Sequence, residues 1–106
     1  MEANQVVVFI TVGSEENARK IVNQLLTERK AACINIVPEV ESHFWWHGNI
    51  ESANEYLLIV KTRATLLDEV EKIVKKIHPY TVPEIIALPI IGGSADFLNW
   101  VDKETA

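Results

Sequence analysis

A single thiol, three histidines and one short polar stretch are where this sequence could do chemistry. Cys33 is the only cysteine, so no internal disulfide claims it, and its soft thiolate could hold Cu(I) or Zn. It is also a small strand residue between Ala32 and Ile34, and free cysteine is among the most buried residue types. His78 could ligate a metal or shuttle a proton. As the residue before Pro79 it could instead finish a helix, where a partly cationic imidazole is favourable. Transition metals take three or four protein donors, so within one chain His78 reads as structural. His43 and His47 sit four apart on a strand-like run, about 13 Å along it. They form no chelate and mark a solvated or interface face. The stretch HPYTVPE, His78 to Glu84, holds two prolines that lock φ and make a rigid connector. Turn chemistry does not explain its Tyr80 and Glu84.

Composition limits what these groups can serve. The chain has 106 residues, enough for one domain, residues 1–106, with a real core and no staples. Hydrophobic residues make up 48% and charged residues 24%, the balance of a globular chain. A net charge of -5 argues against nucleic acid, which demands a basic footprint, and against docking on anionic membranes. No apolar run reaches the roughly 20 residues of a membrane helix. MEANQVVVFI lacks the basic region and cleavage site of a signal peptide, so a reducing cytoplasm is expected.

Alternating strand and helix signals must position the groups. VVVFI, Val6 to Ile10, is a well-covered strand. Ser14 caps a helix whose Ala18, Ile21, Val22, Leu25 and Leu26 recur at three-four spacing, and Arg29 and Lys30 close it. AACINIV, Ala31 to Val37, is the second strand. Pro38 interrupts its ladder and pairing resumes beyond. Gly48-Asn49 supplies a two-residue turn, and the third strand runs from Ile50 to about Thr62, so the hairpin has two long arms. Leu66, Val70, Ile73, Val74 and Ile77 make a second helix, capped by Thr62 or Thr65 and stopped by Pro79. EIIALPII is the fourth strand, and Ser94 caps a short helix to about Lys103. The order β-α-β-β-α-β plus a C-terminal helix is the ferredoxin-like α+β pattern, with both helices on one face of an antiparallel sheet. The strands are apolar on both faces, so the other face is an apolar patch that predicts an oligomer.

Taken together, AACINIVP, FWWHGNIE, EYLLIVKT, HPYTVPEIIALPI and FLNW, in that order and spacing, make the chain resemble the CutA divalent-ion tolerance family from Val6 to about Val101. The resemblance implies a ferredoxin-like subunit in a tight homotrimer, similar in architecture to the PII nitrogen-signalling proteins, with long hairpin arms pairing across subunits. It implies a link to copper and other divalent cations and no established reaction, so the chain is not expected to be an enzyme. It retains Cys33 and His78 as candidate metal ligands. It further implies a cleft between subunits lined by Cys33, Asn35, Trp46, Lys61, Tyr80 and Glu84. There a lysine near a carboxylate could bind an anionic ligand or tune a proton, or a buried ion pair could fix the trimer. Ile10 and Ile77 stand where some relatives carry a cysteine and a second histidine, so a copper site of their kind would lack two ligands. Phe44 and Asn49 replace the usual tyrosine and lysine. Two functions follow as expectations. One is a cytoplasmic, metal-binding homotrimer in metal tolerance. The other is a PII-like regulatory or scaffold trimer holding a small ligand or a protein in its clefts.

Overall fold

Odd and even residues of the first strand go to opposite environments, and that sorting builds the fold. A computed structural model describes residues 3–106. Along β1 (Gln5–Val12), Val6, Val8, Ile10 and Val12 are buried, whereas Val7, Phe9 and Thr11 are only partly covered. The buried set meets Leu58, Val60 and Thr62 of β3 (Asn49–Arg63). Over it lie α1 (Glu15–Thr27), through Ala18, Ile21 and Leu25, and α2 (Leu67–Ile77), through Val70 and Val74. Each buried valine, leucine or isoleucine among them contributes about 1.5–3 kcal/mol. β2 (Cys33–Trp46) and β4 (Ile85–Pro89) complete an antiparallel sheet in the order β2-β3-β1-β4. This is the expected ferredoxin-like α+β architecture. α3 (Ala95–Glu104) is tied across one end: Gln5 Nε2 donates to Asp102, and Arg63 Nε to Thr105.

The opposite, helix-free face carries rows of side chains fixed by register. Asn35, Ile59, Phe9 and Ile86 form one row, and Cys33, Lys61, Val7 and Leu88 the next. Ile86 is 51% and Leu88 45% exposed, so the apolar patch expected from two-sided strands is present.

A bulge decides which side of the hairpin arm joins that face. Val37 pairs with Leu57, but Val40 pairs with Glu55, so Pro38 and Glu39 together oppose one residue. Glu39 takes φ 60 to make room. Side chains alternate strictly along a strand, so one extra residue reverses which residues point to a given side. Beyond the bulge Ser42, Phe44 and Trp46 therefore share a side with Glu55 and Glu51.

Several boundaries differ from the sequence reading. The hairpin turn is His47-Gly48, not Gly48-Asn49, and Trp46 pairs with Asn49. A type I′ turn needs positive φ at both central residues, and His47 has 50° and Gly48 81°. α1 ends at Thr27, and Arg29 takes φ 56. Its N–H donates to Leu26 O at 3.1 Å and that of Lys30 to Leu25 O at 2.9 Å, a Schellman closure without glycine. Neither Thr62 nor Thr65 caps α2, which starts from a 3-10 turn, Ala64–Leu66. Thr62 is buried and donates to Lys30 O at 2.6 Å instead. β4 ends at Pro89 rather than Ile91. Ser14 and Ser94 do cap their helices, accepting from Asn17 N at 3.2 Å and Phe97 N at 3.5 Å.

Candidate functional site

The connector His78 to Glu84 folds back under the end of β1, and the His78 imidazole, bonded to two backbone groups, holds it there. Pro79 denies α2 another turn, and His78 leaves the helix with extended backbone. The His78 ring, 7% exposed, then bridges two backbone groups. Its Nε2–H donates to Thr11 O at 2.7 Å, and its Nδ1 accepts from Tyr80 N–H at 3.2 Å. The bridge requires the tautomer protonated at Nε2 and occupies the Nδ1 lone pair. His78 and Tyr80 also meet edge to face, with centroids 4.7 Å apart.

Tyr80 thus reaches across the helix-free side to Glu55. Its hydroxyl donates to Glu55 Oε2 at 2.8 Å. Glu55 is 5% exposed, and a carboxylate so placed must be hydrogen-bonded to be tolerated. Burial pushes the Tyr80 hydroxyl up to about 12, helped by the bond to Glu55 and by that residue's charge. Gly13 leaves room for the phenol, because a Cβ there would lie 2.7 Å from its oxygen.

Around this pair the connector and hairpin arm flank an open cleft of about 840 Å³. Trp46, Tyr80 and Glu84, three of the residues expected in a cleft, line it, with Phe44, Glu51 and Glu55. Cys33, Asn35 and Lys61 do not line it in a single chain. Cys33 faces Lys61 across β2 and β3, and Lys61 Nζ donates to Asn35 Oδ1. Lys61 lies six residues along β3 from Glu55, about 20 Å away. The six expected residues therefore form two clusters on the helix-free side.

Cys33 and His78 are also apart. The Thr11 carbonyl that anchors His78 belongs opposite Leu57, whereas Cys33 is opposite Lys61, about 13 Å along β3 and two strands over. One ion cannot be shared by the two within a chain. Among the described residues no group of three or more His, Cys, Asp or Glu is close enough to hold a metal. His43 instead meets Glu41, at 3.0 Å on the exposed arm.

Glu55 was the residue that reading the sequence missed. Its signal was present: it precedes YLLIV in phase with Leu57 and Ile59, which places a carboxylate on a largely apolar face. Gly13 and the Thr11 carbonyl left no such signal. Among the described residues no helix is long and apolar enough to cross a membrane.

Comparison with known proteins agrees with this architecture. Residues 6–104 match the family model described as CutA1 divalent ion tolerance protein. The chain is 48% identical over 99 residues to the divalent-cation tolerance protein CutA of Thermus thermophilus, covering 93% of this chain and 96% of that one. It is 45% identical over 100 residues to the chloroplastic protein CutA 1 of Oryza sativa, covering 94% of this chain but 56% of the rice protein. It thus spans about half the length of that plant relative. The solved structure of CutA1 from Oryza sativa superposes with a TM-score of 0.94 at 43% identity, covering 98% of this chain and 95% of that one. The Thermus thermophilus structure gives 0.94 at 47%, covering 96% and 99%. The bulged hairpin, the helix-free sheet face and the connector beneath the end of β1 therefore sit in a chain that belongs to the CutA1 divalent ion tolerance family.

Proposed function

We propose that the protein acts in divalent-cation tolerance as a cytoplasmic homotrimer that binds copper or another divalent cation with donors from more than one subunit. The observation that carries this reading is the helix-free face. Phe9, Ile59, Ile86 and Leu88 line up there beside Cys33, and Ile86 and Leu88 are half-exposed. An apolar face of this kind favours assembly. A cyclic assembly repeats every donor, so Cys33, a lone soft ligand in one chain, would recur three times. The described residues of a single chain do not fit a metal, because their donors are dispersed and both His78 nitrogens are engaged. The lone unpaired Cys33 suits a reducing compartment. The test is calorimetry of copper and zinc on metal-stripped protein of measured mass, wild type beside Cys33→Ala and His78→Ala. Micromolar binding lost in Cys33→Ala supports the reading. Weak binding, unchanged in both variants, sinks it.

The cleft of about 840 Å³ favours a second reading, a PII-like regulatory or scaffold trimer that takes a small ligand or protein there. A metabolite thermal-shift panel tests it, since a ligand at 100 times its Kd adds about 2.7 kcal/mol.

A further inference from the structure

We infer that assembly seats the Lys61 ammonium of one subunit on the Glu55 carboxylate of the next, so that a second copy of this chain closes the cleft between hairpin arm and connector. The inference rests on the homotrimer reading and names one contact inside it. Glu55 supplies the first argument. It is 5% exposed, and its Oε2 accepts from Tyr80, whereas its Oε1 has no hydrogen-bond partner among the described residues. Assembly over the helix-free side takes solvent away from Oε1. A carboxylate buried without a counter-charge is costly, so the covering surface must bring a charged donor. Glu51 and Glu84 also flank the cleft, but both are exposed and can stay solvated at its rim.

Lys61 supplies the second argument. Most of the ten lysines and arginines lie on the three helices. Of the rest, Arg29 pairs with Glu104, Lys30 with Glu69, and Arg63 donates to Thr105. Lys61 is left on the helix-free face, in the row that runs from Cys33 through Val7 to Leu88. Its ammonium donates to the neutral Asn35 and is in no ion pair with a described residue. Two of its three N–H donors stay available. Lys61 and Glu55 thus point to one side of β3, each without an opposite charge, about 20 Å apart along the strand. They cannot meet within a chain. A head-to-tail contact between copies brings one to the other, and a closed ring satisfies every pair.

Sedimentation over a dilution series tests the pair, with urea added where the wild type needs it to dissociate. The variants are Lys61→Met, Glu55→Gln and the two combined. Lys61→Met should raise the concentration at which the assembly dissociates by about tenfold or more, because it strands the partner subunit's Glu55. Glu55→Gln keeps an acceptor for Tyr80 and should weaken assembly similarly. The double variant strands neither charge and should assemble more tightly than either single variant. If Glu55→Gln fails to fold, Lys61→Met still decides. A lysine unpaired on an apolar face predicts tighter assembly when methionine replaces it, whereas the pair predicts weaker. Tighter or unchanged assembly of Lys61→Met overturns the inference, and so do losses that simply add in the double variant. The homotrimer reading then stands, and the cleft is left to a small ligand. A wild type that sediments as a single subunit overturns both.

Discussion

The Tyr80 hydroxyl donates to Glu55 Oε2 at 2.8 Å, fastening the connector after α2 to the middle of β3. Twenty-five residues separate the partners in sequence. The bond gives a nearly buried carboxylate one partner and sets one wall of the cleft.

Tyr80→Phe should therefore cost about 1.5–3 kcal/mol, the range for a hydrogen bond to a charged group. Solvent at the half-exposed ring moves the value to the lower end. Chemical denaturation of both proteins at pH 7 measures it. No loss would mean that water replaces the phenol freely.

The same bond predicts a pH dependence at the alkaline end. The Tyr80 hydroxyl is pushed up to about 12 from its ordinary 10. A raised folded value means that the unfolded chain releases its proton first. The stabilisation is fully present below pH 10 and is lost as pH rises towards 12. Wild type should lose stability over that window more steeply than Tyr80→Phe. Parallel curves for the two would refute the assignment.

Gly13→Ala should be costly even though Gly13 does not lie in the left-handed region. Its Cβ would lie 2.7 Å from the Tyr80 oxygen, so the phenol must move off Glu55. A loss of about 1–3 kcal/mol is expected. In the background of Tyr80→Phe, which removes the clashing oxygen, the same substitution should cost much less. A double-mutant cycle reads the coupling.

Glu39→Gly should be neutral to stabilising. Glu39 holds φ 60 at the bulge, a conformation costing a non-glycine residue about 1–2 kcal/mol. Glycine removes that strain but loses about 0.5–1 kcal/mol in chain entropy. A gain of about 0–1.5 kcal/mol follows from the difference. A marked loss on denaturation would indicate that the Glu39 side chain contributes something beyond geometry.

Ile86→Asp should dissociate the proposed assembly. Ile86 is 51% exposed on the helix-free face, so the isolated subunit can tolerate a charge there, whereas an interface cannot. Light scattering should record a lower mass for the variant, with far-UV dichroism unchanged. An unchanged mass would move the interface off this face.

Much of the fold was legible because it rests on periodicity and on local chemistry. Two-sided apolar strands, three-four spacing in both long helices, and serine caps at Ser14 and Ser94 are patterns of neighbours in the chain. Pro79, which ends α2, and Pro38, which marks the bulge, act through their own missing N–H and fixed φ. The family resemblance likewise lies in the order of short segments. The turn at His47-Gly48 was misplaced by one residue because histidine does not advertise positive φ as Gly-Asn does.

What only the tertiary structure decided is which polar groups meet. Cys33, Asn35 and Lys61 separate from Trp46, Tyr80 and Glu84 because strand register spreads β3 over about 20 Å between Lys61 and Glu55. His78 became a bridge between backbone groups because the connector carried it beneath Thr11. Glu55 became a cleft carboxylate because Tyr80 folded over it. Helix and strand periods are set by residues three, four or two positions apart. The partners of a buried charge are set by where distant segments cross, and no local pattern encodes that crossing.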